Sequence, residues 1–131
     1  MELILKKQDS SNNVLLQENP FSLNENEISE GWLFCVYCKS RIVKQNEAII
    51  IDSSHDHFFT NPSGIKYHVR CFSNADNIAA IGSPTEENSW FKGFGWTIAN
   101  CICGMHLGWK FSSGGEVFYG LVNDYLTKES E

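Results

Sequence analysis

From Trp32 onward the hydrophobic positions fall in short runs rich in aromatic and β-branched residues, broken by Gly, Pro, Asn or Ser about every 8 to 15 residues. That texture predicts an all-β fold. Residues Ile65 to Cys71 alternate apolar and polar positions without a break, as a half-buried strand requires. They follow Asn61-Pro62-Ser63-Gly64, whose order of Asn first, Pro second and Gly fourth favours a type I turn. The turn in turn predicts an upstream strand, near Glu47 to Ile51 or at Phe58 to Thr60. Leu107, Trp109 and Phe111 alternate with His106, Gly108 and Lys110, so another strand carries two large aromatics on one face. Ser112-Ser113-Gly114-Gly115 predicts a turn into a strand over Val117 to Leu121. Ahead of all this, residues 1–30 hold two apolar runs, Leu3-Ile4-Leu5 and Val14-Leu15-Leu16, in polar surroundings. They are expected to form an N-terminal extension, loosely ordered or packed on a domain spanning 31–131.

Length and charge narrow the function classes. At 131 residues and 14.9 kDa the chain suffices for one core and not for two ordinary domains. Ten basic against sixteen acidic residues leave a net charge of −6, which repels a phosphate backbone, so nucleic acid is not expected as a partner. No run of about 18 apolar residues exists to span a membrane. The N-terminus has neither the basic residues nor the long apolar core of a secretion signal, so a cytoplasmic monomer is expected.

Five cysteines include Cys35-Val36-Tyr37-Cys38 and Cys101-Ile102-Cys103. Each pair is too close in sequence for an ordinary disulfide framework, whereas two pairs from distant segments supply the four thiolates of a tetrahedral zinc site. The second pair has one intervening residue instead of two. Either Cys101 or His106 can therefore complete the set, and small buried hydrophobes are the plainer alternative for all of these cysteines. Cys71, alone on its strand face, reads as core. His55 and His57 flank Asp56 without a convincing set of further ligands, and a solvated turn is the expectation there.

Three of the four tryptophans cluster in Trp90-Phe91-Lys92-Gly93-Phe94-Gly95-Trp96 and His106-Leu107-Gly108-Trp109. Large aromatics dominate small cores, yet glycines beside them allow close backbone approach, and flat faces on two segments can wall a pocket. Spacing alone leaves core and cage both open.

The order Phe34-Cys35, Cys38, Asn61-Pro62-Ser63-Gly64, Ile81-Gly82-Ser83-Pro84-Thr85-Glu86, Ser89-Trp90-Phe91, Trp96-Thr97-Ile98-Ala99, Cys103, His106 to Phe111 and Phe118 to Leu121 resembles the CULT domain family, the cereblon-type thalidomide-binding domains. The resemblance covers roughly residues 32 to 125. It implies a β-tent: two antiparallel sheets meeting at a steep angle, pinned by one structural zinc on Cys35, Cys38, Cys101 and Cys103. It also implies a cage of Trp90, Trp96 and Trp109 around a glutarimide ring, with Phe111 as a further aromatic and Asn61 on the rim. Backbone groups of the Asn88-Ser89-Trp90 segment would pair with the imide edge, Asn88 standing where the family carries histidine. Larger family members have a Lon-like domain and an adaptor-binding helical part, for which 131 residues leave no room. The resemblance is thus to single-domain members, which include bacterial proteins, and ligase function is not carried over.

A ligand-binding module is therefore expected, not an enzyme. The ligands implied are cyclic imides, uracil-like rings, or the cyclised C-terminal imides of damaged proteins. Two other classes fit parts of the pattern. An aromatic cage also attracts methylated ammonium groups, and Glu86 and Glu87 precede Trp90. The β-tent also resembles the zinc-bearing fold of one class of methionine sulfoxide reductases, but those need a reactive thiol in a late strand, and no cysteine follows Cys103.

Overall fold

Where alternation is strongest the strands form as expected, and pairing extends them by a residue or two. The computed structural model describes residues 31–129, so the extension assigned to residues 1–30 lies outside the described residues. In chain order the strands are β1 (Trp32–Cys35), β2 (Arg41–Lys44), β3 (Asp56–Thr60), β4 (Lys66–Phe72), β5 (Ile78–Thr85), β6 (Gly95–Cys101), β7 (His106–Ser113), β8 (Glu116–Val122) and β9 (Leu126–Thr127). They build two antiparallel sheets, a small one ordered β2-β1-β9 and a large one ordered β3-β4-β8-β7-β6-β5. Of the two upstream strands open to the Asn61 turn, it is Phe58 to Thr60 that pairs with β4. The Gly64 N–H closes the turn on the Asn61 carbonyl at 2.8 Å.

The pleat gives the large sheet two different faces. One presents Val69 and Cys71 of β4, Trp109 and Phe111 of β7 and Phe118 of β8, and packs with Phe91 and Phe94 of the β5–β6 loop into one cluster. The other presents Phe72, Cys101, Leu107 and Leu121, and is covered by Leu33, Cys35, Ile42 and Val43 of the small sheet. Cys71 is core, as expected, and burial pushes its thiol up to about 12. Two close approaches require glycine. A Cβ on Gly108 would sit 2.2 Å from the Gly120 carbonyl oxygen, and one on Gly120 would meet Val69 and Phe111 at 2.9 and 3.0 Å. Both lie beside the aromatic row of β7: an alanine at 108 would press on the backbone of β8, and one at 120 on the Val69 and Phe111 side chains.

The segment around Asp56 is not the solvated turn expected. His55 is half-buried, edge-on to Phe72 with ring centroids 5.3 Å apart, and its Nδ1–H donates to the Ile49 carbonyl at 3.2 Å. That leaves Nε2 to accept from Arg70 Nε at 3.2 Å, which fixes the ring as neutral. His57 lies within β3, stacked on Phe59 and edge-on to Phe91. Local sequence could not show this, because the burying residues come from β4 and the β5–β6 loop.

Burial holds the His55 pKa below its ordinary 6.5. The unfolded chain then binds a proton that the folded one refuses, so stability present above pH 6.5 is lost as pH falls below it. Asp56, whose carboxylate is held low by the His68 ring at 2.7 Å, contributes only at the acid end, below its ordinary 3.8. Denaturant unfolding at pH 7.5 and 5.0 should therefore show an acid loss that His55→Gln makes smaller, from a lower starting stability. An unchanged loss in the variant would assign the acid limb to other groups.

Candidate functional site

Two cysteine turns face each other, one from each sheet. Cys35 ends β1 and Cys38 sits in the β1–β2 turn, while Cys101 ends β6 and Cys103 sits in the β6–β7 turn. The four sulfurs lie within 4.8 Å of one another, with Cys35 to Cys103 at 3.9 Å and Cys38 to Cys101 at 3.5 Å. Arms of about 2.3 Å at tetrahedral angles give sulfur–sulfur edges of about 3.8 Å, and a disulfide needs about 2.05 Å. The donor set thus fits a tetrahedral metal ion. His106 stands apart, its Nε2–H donating to the Gly108 carbonyl at 2.8 Å, so Cys101 is the fourth member.

The short second pair has a local explanation. In the first turn the Lys39 N–H donates to the Cys35 carbonyl and the Cys35 N–H to the Ser40 carbonyl. In the second, the Gly104 N–H donates to the Cys101 carbonyl and the Cys101 N–H to the Met105 carbonyl, each bond spanning one residue fewer. A left-handed residue closes both turns, Lys39 at φ 66° and Gly104 at φ 99°. Each following strand then carries one unpaired residue, Ile42 in β2 and Leu107 in β7, and both are fully buried. The second knuckle is the first with one residue removed. Burial raises the Cys35 and Cys101 thiols, whereas the Ser40 hydroxyl 3.2 Å from Cys38 lowers that thiol to about 6. A metal ion would displace protons from the two buried sulfurs, so its affinity falls on acidification.

The second feature is a cavity of about 340 Å³ on the opposite face of the large sheet. Trp90, Trp96, Trp109 and Phe111 line it with Tyr67, and Asn61, Asn88 and His106 supply its polar groups. Trp96 and Ile98 of β6 pair directly with Phe111 and Trp109 of β7, which places all four on one face. The Trp96 indole N–H donates to the Glu87 carbonyl at 2.8 Å and so ties the β5–β6 loop over the sheet. That loop delivers Trp90, edge-on to Trp109 with centroids 4.8 Å apart and backed by a stacked Phe59 at 4.5 Å. Asn88 turns the loop in the left-handed region at φ 60°. Its backbone N–H and C=O, like the N–H of Trp90, find no partner among the described residues.

Ser89 does not line the cavity. Its hydroxyl accepts from the Phe91 N–H at 3.3 Å and donates to the Phe91 carbonyl at 3.1 Å, which holds the loop's shape. Asn61 Oδ1 accepts from the Ser63 and Ile65 N–H groups, both at 2.9 Å, leaving the amide NH₂ as its free end. Sequence reasoning missed Pro62, Tyr67, Ile98 and His106 as lining residues. Tyr67 was findable, since it shares the inward face of β4 with Val69 and Cys71. None of the lining residues is acidic or basic apart from His106.

A two-sheet β domain with a four-cysteine knuckle pair on one face and an aromatic cavity on the other defines the class of protein. No protein-family model matches the chain. Among curated proteins it is 40% identical over 74 residues to protein cereblon of Xenopus tropicalis, covering 52% of this chain and 17% of that protein. Protein cereblon of Gallus gallus is 39% identical over 74 residues, covering 52% and 17%, and that of Danio rerio 36% over 87 residues, covering 58% and 20%. The chain thus spans at most about a fifth of the length of these relatives. What it carries is a domain of the cereblon type, the CULT domain.

Proposed function

We propose that this domain binds a neutral cyclic imide, or a uracil-like ring, between Trp90, Trp96 and Trp109, and that it is a binding module and not an enzyme. The observation that carries the reading is the convergence of three tryptophans from the β5–β6 loop, β6 and β7 on one cavity of about 340 Å³. A small imide has two apolar faces and a polar edge with one N–H between two carbonyls. Aromatic walls bury the faces, and the unpartnered backbone groups of Asn88 and Trp90 are of the kinds needed to meet the edge. The lining has no carboxylate to neutralise a methylated ammonium, which favours the imide over the cation. The cyclised C-terminal imide of a damaged protein presents the same ring.

The metal we assign to the four cysteines is zinc in a structural role, since a closed four-thiolate set leaves no open position for substrate. Cys71, the thiol outside that set, is buried with its pKa raised, which supports the absence of reductase chemistry. Thiols kept reduced for metal suit a cytoplasmic monomer, and the net charge of −6 argues against nucleic acid as partner. Among the described residues no helix is long and apolar enough to cross a membrane.

Titration with glutarimide, followed by tryptophan fluorescence, tests the reading. Glutarimide is expected to quench or shift the emission. N-methylglutarimide is expected to do neither, because the methyl group removes the donor, adds bulk and leaves a buried acceptor unpaired. Equal binding of both would refute an edge-reading site.

A further inference from the structure

We propose that the cavity continues into an apolar shelf on β5 and β6 that reads the residue next to the bound ring, so that the preferred ligand is a peptide ending in a cyclic imide preceded by an aliphatic side chain. This rests on the imide reading of the cavity and adds a second, separable contact.

The shelf follows from strand pairing. Ile98 lines the cavity and is still 37% exposed, and its direct cross-strand partner on β5 is Ile81, 50% exposed. Directly paired residues share a face with Cβ atoms about 5 Å apart, so the two isoleucines form one surface running outward from the cavity wall. Ala79, two residues back on β5, is exposed on that same face. Immediately after Ile81 the register with β6 shifts, and pairing resumes only at Thr85 opposite Trp96. Gly82 at φ 87° and Pro84 belong to the stretch that leaves the ladder. The ladder is thereby interrupted just beside the cavity, and residues 82–85 are all exposed.

A pair of exposed isoleucines is ordinary alone. Continuity with the cavity distinguishes this one: a substituent that leaves a ring held between Trp96 and Trp109 on the β6 side passes over Ile98, and then over Ile81. Charge points the same way. Glu86 and Glu87 are both exposed on the loop that Trp96 holds by its indole, so an acidic side chain next to the ring meets like charge, while an aliphatic one buries apolar area.

The test compares three short peptides ending in the same aminoglutarimide and differing only in the preceding residue, Leu, Gly or Asp, with unsubstituted glutarimide as reference. For the unaltered protein the order Leu, Gly, Asp is expected, with Leu binding about five-fold more tightly than Gly. In Ile81→Ser, which lies outside the cavity lining, the Leu preference should fall below two-fold, while glutarimide binds as before. Ile81→Leu should keep the preference. Equal affinity for Leu and Gly in the unaltered protein, or a preference that survives Ile81→Ser, overturns the shelf and leaves the imide site standing. Failure of glutarimide itself to bind overturns the site, and the shelf with it.

Discussion

The domain is expected to hold one zinc ion on Cys35, Cys38, Cys101 and Cys103, and stripping that ion to unfold the domain and not merely to loosen one corner of it. The cluster joins a turn of the small sheet to a turn of the large one, and Cys35 and Cys101 lie inside the core that joins the two sheets, with Leu33, Phe72 and Leu121. Structural zinc contributes about 10–16 kcal/mol of apparent binding free energy at neutral pH. A domain of ordinary size has only about 5–15 kcal/mol of net stability, so losing the ion removes a quantity as large as the whole margin. Metal analysis should return one zinc per chain, and chelation should abolish the near-ultraviolet circular dichroism of the buried aromatics. Cys38→Ser and Cys101→Ser should each cost at least about 4 kcal/mol, which for a core of this size lowers Tm by roughly 16–32 °C. His106→Ala should keep the metal, because that ring is bonded to the Gly108 carbonyl. A folded, zinc-free protein with native circular dichroism would refute a structural metal.

Part of this architecture was legible, where large apolar residues alternate with polar ones; β6 was not, because its buried positions Gly95, Thr97, Ala99 and Cys101 are small or polar. The Ile65 to Cys71 alternation gave β4 to within a residue, and Asn61 to Gly64 gave its turn. β5 was not legible as a strand. It is an exposed edge strand, so no buried face imposes alternation on Ile78 to Thr85, and Pro84 is tolerated where the ladder is already interrupted. β9 was missed because two residues, Leu126 and Thr127, are too few to carry a period. The histidines around Asp56 failed for a different reason, since what buries them arrives from elsewhere in the chain. The cysteine and tryptophan clusters lie between these cases. Spacing grouped the cysteines into two pairs and the resemblance named the cage, and only the fold shows that the four-cysteine cluster and the cavity lie on opposite faces of one sheet. Trp109 shows why core and cage could not be separated beforehand. It is 9% exposed, packed in the main core and in the cavity wall at once.

That double role decides which tryptophan tests the cage most cleanly. Trp109→Ala would remove a wall and also empty a core position held against Trp90, Tyr67 and His106, so part of its effect is lost stability. Trp96 is only half-buried and its replacement leaves the core cluster whole. Trp96→Ala is expected to weaken glutarimide binding by about 2 kcal/mol or more, some thirty-fold, as for a central aromatic lost from a desolvated pocket. Trp96→Phe keeps part of the wall but loses the indole bond to the Glu87 carbonyl, so it should fall between, at about 1 kcal/mol. Trp32→Ala is the control. Its ring lies on the small sheet between Arg41 at 4.6 Å and Lys44 at 5.5 Å, and removing it should leave affinity unchanged within two-fold. Calorimetric titration of the four proteins with glutarimide and with a trimethyl-lysine peptide separates the outcomes. If the peptide binds and the imide does not, the walls form a cation cage and the imide reading is wrong, even though the fold stands.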